Sequence, residues 1–535
     1  VAGSLYRTGP GEHKIEGAPD GTYYTSHWFD GLAHTHRFDI TPGEDGRVTV
    51  HYSSRRQSDQ WVDHIRKHGN RDLMTFGQRS DPCLGLFSKM MATWRARKLA
   101  KGEEFLVNPN VAVIPNFPGL GNAGSSNSTD DGHRGTPLPQ NVWLTTDNSV
   151  LTQVNPATLE PIGRATQRVL HPDLKGPFSC AHAQRDPATG DLFNWNLEPG
   201  RDATYRIFRV RADTGKTEIL AVIRGGRKCN VPAAYIHSFY LSASFMVLCI
   251  PSSHLAWDGL KVVWEGNLLD AIEPFDEGRK CQWFVVDRRH GRGVVARFET
   301  DAGFFFHTVN AFEERSEDDI SRGTTTTLFC DVVEYPTLDV MSQLHYDVLL
   351  QRNSADRAFF GDETRVRNSR PRLARYSFTV PTTTVKPTDT TSTTEIRRGG
   401  EKKVFSIPSP HAGDLPTINP RYATRRHRYV YALAAWGRSA VNMDGLVKTD
   451  TLTRDALYWR PPHGHSPGEA VFVPRPGAQN EDDGVLLSVV LDGHARSSYL
   501  LCLDARTMTE LGRAEVGFAV AIGLHGVHVS AGLGV

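Results

Sequence analysis

The chain has 535 residues and a nearly even charge, 61 Lys plus Arg against 60 Asp plus Glu, which removes any global electrostatic argument for nucleic acid or an acidic substrate. Its seven cysteines are odd in number and scattered, with no C-x-x-C pair, so reduced thiols and a cytoplasmic setting are expected rather than a disulfide framework or a zinc site. The longest apolar run, "FMVLCI" from Phe245 to Ile250, is far shorter than a membrane span, and "VAGSLYRTGPGEHK" has no apolar signal core; no bilayer crossing is expected.

Along the chain one theme recurs: a β-branched or aromatic run, a turn built on Asp or Asn, then a second run. It appears first as "HRFDITPGEDGRVTVHY" from His36 to Tyr52. "DPCLGLFSKMMATWRARKLAKGEE" (81–104) breaks the theme, with Leu86, Phe87, Met90, Met91 and Trp94 at helical spacing beside Lys89, Arg95, Arg97 and Lys98. Such a stripe either packs on the body or rests in a membrane interface. A Gly/Ser/Thr-rich excursion follows at 119–139. Hairpins resume at Thr152–Arg164, Phe208–Leu220 and Phe284–Phe298, a second excursion covers 380–403, and a last hairpin spans Leu500–Val516. The excursions are too poor in apolar residues to build cores, so they read as surface loops. Repeated antiparallel hairpins over this length point to one closed, radial, all-β body, 1–535, in which repetition protects the edge strands.

Among 22 histidines, His182, His237, His307 and His525 sit in stretches rich enough in apolar or aromatic residues to be buried. In "GFFFHTVNAFEE" (303–314), strand alternation would set Phe304 and Phe306 on one face and Phe305 and His307 on the other. A buried imidazole needs a partner, either a backbone carbonyl or a metal. The four spacings are long and unequal and match no local metal motif. In a propeller, however, the inner strands of different blades converge on one axis.

At this point "SLYRTGP", "HWFDGLAHTHRF", "FSCAHAQRD", "YIHSFYLS", "FFFHTVNAFEE", "DLPTINPRY" with "RYVYAL", "GEAVFVPRPGAQNEDDGVLLSVV" and "GLHGVHV" together resemble the landmarks of the carotenoid cleavage oxygenases, in that family's order and over nearly the whole chain. The resemblance implies a seven-bladed β-propeller capped by loops and helices. On its axis one non-haem ferrous iron, Fe(II), would be held by His182, His237, His307 and His525. Neutral imidazoles suit that ion. The implied reaction splits a conjugated carbon–carbon double bond with dioxygen to give two carbonyl products, without flavin, nicotinamide or haem.

The family supports three of its histidines with glutamates. The matching positions here are Asp147, Asp414 and Glu469, so two acids are shorter by a methylene and need either a closer backbone or a bridging water. His34, His36, His463, His465 and His528 match no ligand, and His463 and His465 read as loop residues.

Stilbene-cleaving members carry a tyrosine and a lysine for the substrate phenol. Here the matching positions are Phe76 and Thr146, which with Phe306 are expected along an apolar substrate tunnel. The expected substrate is therefore a carotenoid or apocarotenoid, most similar to the fungal torulene-cleaving members; a stilbene-cleaving enzyme is the alternative, and a non-catalytic propeller module is the reading from another class. Because a polyene is stored in membrane, the resemblance favours the interfacial reading of Phe87, Met90, Met91 and Trp94 and a peripheral membrane enzyme.

Overall fold

The computed structural model of the chain describes residues 1–70, 73–79, 106–121, 138–225, 230–315, 325–381, 400–436 and 443–531. Among them are seven sheets of four or five strands, besides the two-stranded ribbon Lys14–Ala18 with Gly21–Tyr24. The seven sheets are the blades of a propeller. Both ends of the chain build blade I: His525–Ser530 pairs antiparallel with Gly3–Pro10, His525 opposite Thr8 and Ser530 opposite Gly3. Blades II to VII begin at Ala112, Phe178, Tyr240, Phe304, Gly413 and His465.

An apolar cluster fills every junction between consecutive blades, so the ring has no open seam. Leu192, Phe208 and Trp143 pack blade II on III, and Trp195, Leu248 and Phe284 pack III on IV. Trp283, Phe305 and Phe378 join IV to V, and Leu373 and Val430 join V to VI. Tyr431, Phe472 and Leu501 join VI to VII, Phe38 and Leu500 join VII to I, and Tyr6 and Leu144 close I on II. The apolar run Phe245–Ile250 is explained by this arrangement: Phe245, Val247 and Cys249 face one junction, while Met246, Leu248 and Ile250 face the other. A blade strand is buried on both faces, so alternation gives no polar positions.

The five hairpins expected from sequence pair as such. Their turns use the predicted device, Asn155 accepting from the Ala157 and Thr158 amides and Asp504 from those of Arg506 and Thr507. Asp213 differs, its carboxylate being taken by Arg211. The strands flanking each excursion pair with one another, Ala112–Pro115 with Val142–Thr145 and Arg372–Pro381 with Glu401–Pro408. His465 corrects the loop reading: it starts the strand His465–Pro467 and meets the Tyr499 hydroxyl at 3.1 Å.

Helices cover one end of the ring. Four lie between two strands of blade V, at Asp339–Gln343, Tyr346–Leu349, Ala355–Phe360 and Glu363–Asn368. Each has four to six residues, too short for an apolar stripe to repeat, so sequence periodicity missed them. No helix among the described residues is long and apolar enough to cross a membrane. Phe87, Met90, Met91 and Trp94 lie outside the described residues.

Candidate functional site

Each blade sends one chemically distinctive residue to the axis. His182, His237, His307 and His525 come from blades III, IV, V and I, and Asp147, Asp414 and Glu469 from II, VI and VII. The chain is irregular at most of these points. The inner edge of blade III is broken between Ser179 and Gln184 around His182, and that of blade VII between Pro467 and Val471 around Glu469. Such breaks re-aim a side chain away from the pleat.

His307 shows the effect and corrects the alternation expected for its run. Phe304 and Phe306 do pack in one core and Phe305 in the other. Pairing then shifts register between Phe305 and Thr308. The extra residue brings Phe306 and His307 to the same side, their rings 6.1 Å apart and 5.6 and 5.1 Å from that of His237.

One nitrogen from each of the four histidines lies within 4.8 Å of all the others, the set that among the described residues is arranged to hold a metal. None of the five histidines set aside belongs to it; His34 and His36 stack on each other 4.5 Å apart, and His36 meets the Tyr52 hydroxyl. Three of the four rings have Nδ1 committed. His237 Nδ1 lies 2.7 Å from Asp147, His307 Nδ1 2.7 Å from Asp414, and His525 Nδ1 2.8 Å from Glu469. A carboxylate accepts, so each Nδ1 carries the proton and each Nε2 is left as a bare lone pair. The aspartates make direct contacts, which removes the bridging water; the backbone supplies the missing reach.

These lone pairs converge. Nε2 of His307 and of His525 are 3.1 Å apart, and Nε2 of His182 and of His237 are 3.0 Å apart. With a metal–imidazole bond of about 2.1 Å, donors at right angles around one ion stand about 3.0 Å apart, so the residues fit a single divalent cation. Burial, together with the other three imidazoles, holds His182 well below the usual histidine range. Burial also lowers His525, against the pull of Glu469.

The acids are themselves anchored, by residues that sequence reasoning did not single out. The Tyr235 hydroxyl donates to Asp147 Oδ2 at 2.9 Å, and the Ala181 amide donates to Oδ1. The Tyr335 hydroxyl donates to Asp414 Oδ2 at 2.5 Å, and the Leu415 amide donates to Oδ1. Glu469 takes the Gly526 amide at 2.8 Å. Burial opposes ionisation of Asp414, but the imidazole of His307 and these hydrogen bonds outweigh it and keep the carboxyl below its usual range. Behind Glu469, the fully buried Arg7 donates to the carbonyls of Glu469, Gly523 and Leu524, tying the first strand to the last beside His525. Tyr235 was foreseeable, since it stands two residues before His237 in an extended segment. Tyr335 depended on a pairing register that a single sequence does not reveal.

Two cavities reach the histidines. The one under the helical cap is walled by Trp28, Phe29, Phe306, Val340, Leu344 and Leu433 and touches His237, His307 and His525. The other, of about 260 Å³, is lined by polar groups including Gln184, Ser238, Thr308 and Asn310. Of the three expected tunnel residues, Phe306 alone lines the apolar cavity. Phe76 stands one ring behind, 4.9 Å from Phe29 and 5.5 Å from Tyr235, and Thr146 lines neither space. Trp28 and Phe29 belong to the "HWFDG" stretch to which sequence reasoning gave no role.

Comparison with known proteins gives this geometry a family. The model described as "Retinal pigment epithelial membrane protein" matches residues 1–530. The chain is 54% identical to a carotenoid dioxygenase of Neurospora crassa, over 99% of this chain and 87% of that protein. It is 48% identical to a torulene dioxygenase of Gibberella fujikuroi, over 99% and 89%. Among solved structures, a Glu150Gln mutant of the Synechocystis apocarotenoid oxygenase shares the fold with a TM-score of 0.68 at 20% identity, covering 99% of this chain and 93% of that one. A cobalt-substituted form of the same protein matches equally, again at 0.68. The chain therefore belongs to the retinal pigment epithelial membrane protein family, the carotenoid oxygenases.

Proposed function

We propose that this chain is a dioxygenase that cleaves a conjugated carbon–carbon double bond of a carotenoid or apocarotenoid into two carbonyl products, using ferrous iron held by His182, His237, His307 and His525. The observation that carries the reading is the set of convergent Nε2 atoms with three Nδ1 atoms locked by carboxylates, next to an apolar cavity. The naming of the Neurospora and Gibberella relatives for carotenoid and torulene supports the substrate class.

When bound, the iron supplies the activation of dioxygen, which four neutral imidazoles permit because they leave positions open and add no charge. The protein's own groups do the rest. Asp147, Asp414 and Glu469 fix three rings in one tautomer and orientation. Phe306, Trp28 and Phe29 give the cavity beside the histidines an apolar, aromatic wall, which suits the reacting segment of a polyene and disfavours water there. The stilbene alternative finds no support: the 48–54% relatives are named for carotenoid and torulene, and Phe76 and Thr146 offer no cationic or phenolic group.

Delivery of a hydrocarbon requires contact with the membrane that stores it. The stripe of Phe87, Met90, Met91 and Trp94 with its basic flanks supports a peripheral attachment from the cytoplasmic side, apolar residues buried shallowly and Lys or Arg at the headgroups. The deciding experiment for the whole reading is reconstitution with iron followed by product analysis on a panel of polyenes.

A further inference from the structure

Asp414 has a geometric problem that its two fellow acids solve differently. Glu469 uses a longer side chain, with its second oxygen on the Gly526 amide. Asp147 sends Oδ2 to both His237 and Tyr235 and gives Oδ1 to the Ala181 amide. Asp414 places both His307 Nδ1 and the Leu415 amide on Oδ1, at 2.7 and 2.8 Å. Asp414 also lines the cap-side cavity, together with the apolar Leu415, Leu433 and Met443, and Oδ2 is left to find its own donor. A charged oxygen among such residues without a donor carries a heavy desolvation penalty. Its donor is the hydroxyl of Tyr335, at 2.5 Å.

Tyr335 is set there by the blade itself. It is the last residue of the strand Thr325–Tyr335, opposite Phe304 in the register, and is 3% exposed. Its ring also lines the apolar cavity, 6.2 Å from that of Phe306. On the other side, the backbone bends to bring the short acid in: Leu415 has φ +49°, and pairing shifts register between Asp414 and Thr417. The carboxylate is thus fixed at one oxygen by its own bent backbone and at the other by a phenol.

We propose that Tyr335 is a positioning residue for the metal centre: its hydroxyl fixes the rotation of the Asp414 carboxylate, and through it the His307 ring. This rests on the metal-site reading above. Removal of the hydroxyl frees Oδ2 to turn, and the Asp414–His307 bond loses its fixed direction.

The test is titration of the metal-stripped protein with Co(II), followed by its visible d–d absorption, for wild type and Tyr335→Phe, with thermal melting in parallel. Tyr335→Phe keeps the ring and loses the hydroxyl, so the Co(II) dissociation constant rises roughly 10-fold, at the lower end of the effect usual for such supporting partners, and the absorption band shifts. Incorporation of 3-fluorotyrosine at position 335 retains the hydroxyl and gives an affinity within about threefold of wild type by the same argument. A Tyr335→Phe protein that melts like wild type and binds Co(II) with unchanged affinity and spectrum overturns the proposal, as does a 10-fold loss with 3-fluorotyrosine. Absence of Co(II) binding by the wild type would instead overturn the metal-site reading itself.

Discussion

Nε2 of His307 and Nε2 of His525 face each other at 3.1 Å, although Asp414 and Glu469 draw the proton of each ring to its far nitrogen. Two lone pairs brought that close repel unless a cation lies between them. The pair is therefore one that a bound cation stabilises. Metal-stripped protein should melt below the loaded form, and adding Co(II) or Fe(II) should recover the difference. Ligand held about 100-fold above its Kd contributes about 2.7 kcal/mol. Mg(II), which prefers oxygen donors, should leave the melting temperature unchanged.

The three acids should respond differently to neutral isosteres. Every oxygen of Asp147 and Glu469 accepts from a donor, and the Ala181 and Gly526 amides cannot turn away. Asp147→Asn and Glu469→Gln force one amide NH2 against such a donor, and metal affinity should fall about 10–100-fold. In Asp414→Asn the new NH2 meets the Tyr335 hydroxyl, which rotates and accepts. Its loss should be the smallest of the three, as measured by metal titration.

Gly413, beside Asp414, is fixed by close approach. A Cβ there would lie 1.7 Å from the Leu433 carbonyl oxygen, across the pair that starts blade VI. Gly413→Ala should cost at least 1–3 kcal/mol, roughly the usual cost of overpacking, and should weaken metal binding because Asp414 moves with the strand. A variant with wild-type melting and affinity would show that the two strands separate freely here.

Much of this was legible in the residues. The turn chemistry of five hairpins marks five of the seven blades, and the apolar or aromatic neighbours of His182, His237, His307 and His525 mark these residues as candidates for burial; His237, His307 and His525 are buried and His182 is half-buried. What brings them together is the ring closure of Gly3–Pro10 on His525–Ser530, a long-range fact that no local pattern encodes. The orientation of His307 depends on a bulge, which periodicity assigns to the wrong face. Tyr335 reaches Asp414 across 79 residues through a register that is set only in the folded sheet. Phe76, placed by the short context of its motif, falls one ring outside the cavity.

The peripheral attachment has its own test. Replacing Phe87, Met90 and Trp94 by polar residues should leave turnover of detergent-dispersed polyene nearly intact and lower turnover from liposomes, since only delivery uses that face. Equal losses in both assays would assign the stripe to packing against the propeller.

The most direct measurement is a product analysis. Wild-type protein reconstituted anaerobically with one equivalent of ferrous iron is exposed to oxygen with a panel of carotenoids, apocarotenals and resveratrol, and the carbonyl products are resolved by chromatography alongside those of His237→Ala and His307→Ala. The account predicts two carbonyl fragments from a long polyene, formed far faster than any from resveratrol, and none from either variant. Rapid cleavage of resveratrol with no turnover of any polyene, or undiminished polyene cleavage by His237→Ala or His307→Ala, would contradict it.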